Sequence, residues 1–421
     1  MKRKFRIIAG MLLLTIPLCL TAQVKPTKPD SPEGDKPKVE KPVKPEKPNG
    51  PEMKPEKPGM PEKPKSGLEM PKISGFVQGM YQANLTDEGK LMGGDETNTF
   101  RMRRVRLSVD GKFSKTVSYK VQGDFVRSPM LVDAYLKYKP CNEFAIQVGQ
   151  FKTPFTLESP INPVNLEIFD YGEAVQKLVA YNDVCGIKAI GRDIGVMATG
   201  SLFPIKGVEG FEYNVIDYAV GVFNGNGINV TDNNNRKDIV GRLEVHPGLK
   251  ALTLSGSYYY GLYRNSNVEG DIKAIENGTF AWGNDTILNK YNHGTRNRWT
   301  IGAQYNDGNL VVRGEYINGM TNYMLVEKNP LTLTEKTANS DGYYAQAGYY
   351  FHVGEQKIMP VLRYEHFTAN DAITNGGTNW YTAGINYWPM KSVNFKLDYS
   401  LVQKESGTNS HRVVGILSYK F

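Results

Sequence analysis

Apolar and polar residues alternate along most of the chain between Pro71 and Phe421. The alternation is clearest in FRMRRVRLSVDG (100–111), VSYKVQGDF (117–125), LVVRGEYI (310–317) and VVGILSYKF (413–421), whereas the i, i+3, i+4 spacing of amphipathic helices is scarce. A period of two residues is typical of β-strands with one apolar face. The pattern predicts about sixteen strands of roughly ten residues each, among them 309–319 and 342–352.

The connections between the predicted strands alternate in length. Every even-numbered strand is followed by a short, turn-like link such as GKFSK, KPCN or HPGL, whereas most other links are long and polar, as at 224–235 and 262–295. Tight turns at one end, long loops at the other and an even number of strands are typical of a membrane barrel. We therefore predict an all-β fold, a transmembrane antiparallel β-barrel of about sixteen strands, over residues 71–421.

The two faces of the predicted strands differ in polarity. In the second strand Val105, Leu107 and Val109 share one face, and Arg104 and Arg106 lie on the other. A closed circle of about sixteen strands is too wide for side chains to fill. The charged face is therefore expected to line water, and the apolar face is expected to meet lipid.

Charged residues on the water-facing side are the candidate functional residues. The predicted pore-lining basic residues are Arg104, Arg106, Lys120, Lys137, Arg242, Arg313, Arg363 and Lys396. The predicted pore-lining acidic residues are Asp124, Asp133, Glu244, Glu315, Glu365 and Asp398. Four basic residues, at 242, 313, 363 and 396, are each followed two positions later by a carboxylate on the same face. Two interpretations stay open: a self-compensating polar wall, or a track of basic residues for anions whose field the carboxylates moderate.

Two segments precede the predicted barrel. Residues 1–22 combine a basic start, a short apolar core and small residues near Ala22, which is typical of a secretory signal peptide. Residues 23–70 repeat Pro, Lys and Glu and lack the apolar residues needed for a core, so we expect an extended, disordered spacer. The signal and the barrel predict the outer membrane of a Gram-negative cell, with the spacer in the periplasm. The spacer is either a tether that contacts the cell wall or a passive linker.

Other chemistry is sparse in the sequence. The net charge of +8 is modest for 421 residues, and no nucleic-acid partner is expected. The five histidines show no metal-ligand spacing, and no Ser/His spacing singles out a catalytic pair, so no metal, cofactor or enzymatic activity is predicted. The last strand ends in Tyr419 and Phe421, an aromatic ending that resembles the signal read by outer-membrane assembly machinery.

Four stretches carry a resemblance to a known family. FRMRRVRLSVDGKFSKTVSYKVQGDF (100–125), DAYLKYKP (133–140), IQVGQFKTPFTLESP (146–160) and GRDIGVMATG (191–200) are similar, in order and spacing, to the phosphate-selective porin O/P family. The resemblance implies an outer-membrane porin, commonly a homotrimer, that passes anions and narrows its pore with inward-folded loops. The segment between the fifth and sixth strands is placed for such a constriction loop, with candidate residues Lys152, Glu158, Asn162, Asn165 and Lys177.

Together these patterns predict a porin for passive diffusion of small hydrophilic solutes with a preference for anions. Its expected partners are outer-membrane lipid, the solutes themselves and the assembly machinery. Two alternatives stay open. A barrel that anchors adhesive or structural surface loops predicts no conductance, and an outer-membrane lipid hydrolase predicts a functional Ser and His at lipid level.

Overall fold

The computed structural model of the chain describes residues 70–93, 97–179, 181–187, 190–205, 212–283, 286–291, 293–407 and 409–421. The predicted signal peptide and all of the predicted spacer except Met70 lie outside these residues. In the described part of the chain, no helix is long and apolar enough to cross a membrane.

Strands account for most of the described residues. They are β1 (Lys72–Thr86), β2 (Asn98–Lys112), β3 (Val117–Asp124), β4 (Leu131–Tyr138), β5 (Ala145–Lys152), β6 (Arg192–Ile205), β7 (Tyr213–Phe223), β8 (Asp238–Val245), β9 (Leu252–Arg264), β10 (Ile287–Lys290), β11 (His293–Asn306), β12 (Leu310–Lys328), β13 (Leu331–Tyr349), β14 (Phe351–Val353), β15 (Gln356–Thr368), β16 (Gly377–Met390), β17 (Val393–Lys404) and β18 (Asn409–Lys420). The helices are a 3-10 turn (Pro163–Asn165), α1 (Glu173–Leu178) and α2 (Ser266–Glu276).

The strands form one closed antiparallel barrel. Strand β14 continues β13 along β15, and β10 pairs only with the far end of β12, so the wall has sixteen strands. Strand β1 pairs with both β2 and β18, which closes the sheet. The Phe421 amide donates to the Gly75 carbonyl (3.1 Å) and the Gly75 amide donates to the Phe421 carbonyl (3.0 Å), so the last residue is fixed by the first strand. Closure pairs the backbone groups that lipid could not satisfy.

The polarity of the two faces is the reverse of that in a water-soluble barrel. Leu362 is 67% exposed and Val121 is 47% exposed on the outer face, whereas Gln346 (2%) and Gln122 (5%) are buried on the inner face. The predicted parity is therefore confirmed. A surface of exposed aliphatic and aromatic side chains fits contact with hydrocarbon and would be unstable against water.

The strand ends predicted at 319 and 342 imply a loop over residues 320–341, and this prediction is wrong. Strand β12 continues to Lys328, strand β13 begins at Leu331, and only Asn329 and Pro330 form the turn. The alternating pattern does not stop at the predicted strand end, because Val326 is completely buried in the extension. The two strands therefore project beyond the wall as a long hairpin.

The hairpin extension packs on the connection between β9 and β11. Ile272 and Ile275 of α2 and Val326 of β12 form a small buried group, which we call the outer cluster. Helix α2 begins where the Asn265 side chain accepts a hydrogen bond from the Val268 amide (3.4 Å), a regular N-cap. Strand β10 pairs with β12 in the same region. The long predicted loop is thus a folded unit with its own apolar contacts.

The described residues of the connection between β5 and β6 (153–179, 181–187, 190 and 191) pack against the inner face of the wall, and we call them the inner segment. It contains the 3-10 turn and α1. Its Phe155, Val175 and Leu178 are buried against wall residues such as Ile317 and Tyr344. Burial of each such side chain contributes about 1.5–3 kcal/mol. The main buried apolar cluster of the molecule therefore lies inside the barrel.

Candidate functional site

Ion pairs join the inner segment to arginines on several wall strands. Each of four acidic residues of the segment faces an arginine: Glu158 with Arg363, Glu167 with Arg313 (3.0 Å), Asp170 with Arg103 (2.6 Å) and Asp183 with Arg298 (2.6 Å). The side chains of the first pair are both completely buried. A charge buried at such depth is stable only when it is paired, so these contacts fix the segment to β2, β11, β12 and β15.

Three of the acidic partners, Glu167, Asp170 and Asp183, have lowered pKa values despite their burial. Burial opposes the charge of Glu167, but the Arg313 guanidinium and a hydrogen bond from Gln346 outweigh it and lower the pKa of this carboxyl. The pKa of Asp183 is lowered in the same way, because the charge and hydrogen bonds of Arg298 outweigh its burial. Glu173 behaves oppositely, since burial raises its pKa. The inner segment therefore contains carboxyls whose pKa values are shifted in opposite directions.

Lysines and glutamates of the wall bind the backbone of the segment. The Lys152 ammonium donates to the carbonyls of Ser159 (2.5 Å) and Ile161 (2.8 Å). Lys396 donates in the same manner to the carbonyls of Leu166 (2.5 Å) and Ile168 (2.8 Å). In the opposite sense, Glu315 accepts from the Leu157 amide (2.8 Å) and Glu365 accepts from the Glu173 amide (2.7 Å). Irregular backbone inside the barrel thus finds the polar partners it requires.

The four predicted same-strand pairs divide into two kinds. Arg242 lies 3.3 Å from Glu244, and Arg363 lies 3.0 Å from Glu365, as the spacing suggests. Arg313 instead pairs with Glu167, and Glu315 accepts from the Thr300 hydroxyl (2.8 Å). Lys396 binds backbone carbonyls, and Asp398 is buried opposite Gly384. Arg313 and Lys396 therefore bind groups of the inner segment, although the strand pattern alone would pair each of them with the carboxylate two residues later.

The other predicted pore-lining residues occupy one side of the wall. Arg104 lies 3.5 Å from Asp170, Arg106 pairs with Asp124 (2.9 Å), Lys120 with Asp110 (3.2 Å) and Asp133 with Arg192 (2.7 Å). Lys137 is half-buried on β4 and lines a cavity. All of these residues except Asp170 lie on β2, β3, β4 or β6.

The remaining candidates of the inner segment have local partners. Asn162 caps the 3-10 turn by accepting from the Val164 amide (3.4 Å). Asn165 accepts from the Lys420 ammonium (2.5 Å), and Lys177 lies 3.8 Å from Glu173 one helical turn away. The terminal aromatic residues Tyr419 and Phe421 are exposed on the outer face with their rings 6.1 Å apart.

The sequence interpretation missed Arg103 because it assumed strict alternation. The pairing of β1 with β2 shifts between Gln78, opposite Arg104, and Gly79, opposite Met102, which leaves Arg103 as the extra residue of a β-bulge. The bulge brings Arg103 within 2.6 Å of Asp170. The sequence did carry a signal of the bulge, because Arg103 and Arg104 are adjacent. Strict alternation would put one of them on the lipid face, where an arginine costs about 2–4 kcal/mol of stability at the bilayer midplane. Arg298, on the inner face of β11, was also missed although its parity was readable.

Two mainly polar cavities lie on the inner face of the described wall, and the inner segment borders one of them. One of about 280 Å³, the basic cavity, is lined by Arg106, Lys120, Lys152, Arg192 and one carboxylate, Asp133, together with Pro160, Asn162 and Pro163 of the inner segment. The other, of about 250 Å³, is lined by Lys137, Lys139, Arg242, Asp217 and Glu244 near the short connection between β8 and β9, and we call it the short-turn cavity. Both are mainly polar, as water-filled space requires.

A closed barrel with an apolar outer face and a charged interior defines a porin of the outer membrane. The chain belongs to the phosphate-selective porin O and P family, whose model matches residues 77–420. The family match therefore covers nearly the whole barrel, whose strands run from Lys72 to Lys420. Comparison with curated proteins found no match.

Solved porin structures share the fold at low sequence identity. An anion-selective porin from Comamonas acidovorans is 12% identical with a TM-score of 0.55, covering 83% of this chain and 99% of that one. The outer-membrane channel DcaP of Acinetobacter baumannii is 14% identical with a TM-score of 0.54, covering 85% and 98%. The trimer form of OmpT from Vibrio cholerae is 12% identical with a TM-score of 0.51, covering 84% and 100%.

Proposed function

We propose that this porin passes small hydrophilic anions, inorganic phosphate among them, by passive diffusion along the wall formed by β2 to β6. The observation that carries the proposal is the basic cavity, whose lining includes four cationic side chains and one carboxylate. The family name and the description of the Comamonas acidovorans porin support an anionic solute.

The distribution of ion pairs supports a one-sided path. Arginines 298, 313 and 363, on β11, β12 and β15, are neutralised by carboxylates of the inner segment. The arginines of the basic cavity are paired as well, Arg106 with Asp124 and Arg192 with Asp133. Lys152 differs from them, because it is bound by neutral carbonyl and hydroxyl oxygens. Positive charge in a narrow, low-dielectric passage lowers the barrier for anions and raises it for cations.

The inner segment is proposed to be the constriction loop. Its contacts reach wall strands on several sides of the barrel, and Pro160, Asn162 and Pro163 line the basic cavity. With the segment fixed in this position, we place the solute path in the space beside β2 to β6. The predicted residues Glu158 and Lys152 then act by fixing the width of the pore, and Lys120 and Lys137 act by setting its field.

The selectivity of a double variant tests this function. Lys120→Gln/Lys137→Gln removes two cations that bear little of the segment's packing, so the anion-to-cation permeability ratio from reversal potentials in a KCl gradient should fall severalfold. Lys336→Gln, on the exposed hairpin extension, is the matched control and should leave the ratio unchanged. Phosphate should reduce the chloride current of the wild type more than that of the double variant. An unchanged ratio in the double variant would overturn the proposed path.

Further proposals concern assembly and the chain's surroundings. A homotrimer is supported by the trimer form of the similarly folded OmpT, and native mass spectrometry of the detergent complex tests it.

The exposed Tyr419 and Phe421 at the end of β18 support recognition by the outer-membrane assembly machinery. The Pro/Lys/Glu composition of residues 23–70 supports a periplasmic spacer able to contact the cell wall, which a cell-wall pull-down with and without these residues tests.

A further inference from the structure

Three potential metal ligands converge on the inner face at the short-turn end of β7 and β8. Asp217 of β7 lies directly opposite Glu244 of β8, and His246 follows two residues later. One carboxylate oxygen of each acid and one ring nitrogen of His246 all lie within 4.8 Å of one another. Asp217 and Glu244 also line the short-turn cavity. The group is therefore reachable from the aqueous interior.

The orientation of the His246 ring is the second observation. Its Nδ1 lies 3.3 Å from the Leu252 carbonyl and 3.2 Å from the Thr253 hydroxyl, and its Nε2 lies 3.0 Å from Asp217 Oδ2. A carbonyl only accepts, so Nδ1 carries the proton in the neutral ring. Nε2 then presents a lone pair to a carboxylate, an arrangement that needs a proton or a cation between the two. Metal-binding histidines show this same pattern, with the far nitrogen donating to a carbonyl.

We propose that Asp217, Glu244 and His246 form a binding site for a first-row divalent cation of the Zn²⁺ type. Two carboxylates and one imidazole make three protein ligands, and the cavity side leaves a fourth position open to water. Imidazole nitrogen favours Zn²⁺ and its neighbours over Ca²⁺ and Mg²⁺, which prefer six or more oxygen ligands. Two carboxylates also balance the charge of one divalent ion.

The neighbouring groups set the affinity. The Ser201 hydroxyl donates to Asp217 Oδ1, which leaves Oδ2 for the ion. The Arg242 Nε lies 3.3 Å from Glu244 Oε1, and Lys137 and Lys139 line the same cavity. These cations compete with a metal ion, so removal of Arg242 should strengthen binding. An ordinary pair of salt bridges would hold no ion, so Zn²⁺ binding would then be absent with or without Arg242.

Zinc titration of the purified chain without a histidine tag tests the site. Isothermal titration in detergent should show one Zn²⁺ per chain, retained in millimolar Ca²⁺. Affinity should fall at least about tenfold in His246→Ala and in Asp217→Asn, and it should rise in Arg242→Gln. His411→Ala is the matched control, because His411 faces a single carboxylate, Asp87, at 3.3 Å, and should bind Zn²⁺ as the wild type does.

A second measurement covers a variant that fails to fold. Co²⁺ added to the wild type should give visible absorption bands of a four-coordinate site, and equimolar Zn²⁺ should abolish them. Absence of saturable Zn²⁺ binding in the wild type, or equal binding in the wild type and the folded Asp217→Asn variant, would overturn the site. Either result leaves the anion selectivity of the channel a separate question, since the reversal potentials are measured without Zn²⁺.

Discussion

Single residues decide how firmly the inner segment is held. The carboxylate of Glu158 faces Arg363 and also accepts the Gly172 amide at 2.7 Å, all at complete burial. Exposed pairs such as Lys90 with Glu88 are different, because water screens them and their net contribution is about 0–1 kcal/mol. The burial of an ion pair, more than the distance between its charges, therefore determines how much it contributes to the stability of the fold.

Glu158→Gln should release the inner segment. The change leaves the Arg363 charge buried with only Glu365 as an ionic partner, which should cost about 3 kcal/mol, near the lower end for a broken buried pair. Urea unfolding in detergent measures the loss, and single-channel conductance should rise as the segment detaches. Glu88→Gln, the exposed control, should change stability by less than about 1 kcal/mol. Equal effects of the two substitutions would contradict the ion-pair account.

Acid should release the segment by the same route. Because the pKa values of Glu167 and Asp183 are lowered in the folded protein, their stabilisation is present above the unfolded values and is lost as the pH falls through the folded ones. Conductance should therefore rise as the pH falls below about 4.5. The double variant Glu167→Gln/Asp183→Asn should already conduct more at pH 7 and should lack this transition. A transition of equal size in both proteins would assign it to other groups.

At the scale of elements, strand parity was predictable and strand ends were not. Alternation placed Arg106, Lys120 and Arg313 on the inner face correctly, because period two is a local property of the backbone. The bulge at Arg103 and the extension of β12 depend on contacts with distant parts of the chain. The partners of the wall arginines could not be predicted for the same reason. Glu158 and Arg363 lie 205 residues apart in sequence.

The outer cluster should behave as an independent element. Ile275→Ala removes a side chain that is 2% exposed, and cavity formation at such a site costs about 2–5 kcal/mol. The connection 265–292 should then become sensitive to trypsin while the barrel keeps its heat-modifiable migration on gels. Ile287→Ala, at an exposed position of β10, is the control and should stay resistant. Loss of the barrel itself in Ile275→Ala would show that the cluster is not separable.

For the whole molecule, the reversed polarity is the feature that the sequence predicted best. It follows from strand number, since a wide ring cannot be filled by its own side chains. The interior of this barrel is nevertheless largely occupied, because the inner segment supplies the apolar residues that the wall lacks. The alternation of apolar and polar residues in the strands did not predict that the inner segment occupies the interior. The irregular sequence of residues 153–191 gives no periodic signal, and only the resemblance to the porin family pointed to an inward loop.

Charge on the outer face should be harmful only where the wall meets lipid. Leu362→Arg, in the middle of β15, should destabilise the protein in vesicles by about 2–4 kcal/mol. Ile287→Arg, at a similarly exposed position of β10 beyond the wall, should change stability by less than about 0.5 kcal/mol. Urea unfolding in lipid vesicles measures both. Similar costs for the two variants would contradict the outer face as a lipid contact.

The sign of the reversal potential of the wild type tests the central claim most directly. Purified protein in a planar bilayer under a tenfold KCl gradient should open discrete channels whose reversal potential corresponds to chloride passing more readily than potassium. A reversal potential of the opposite sign would contradict the basic path along β2 to β6. The absence of channels would contradict the water-filled barrel itself.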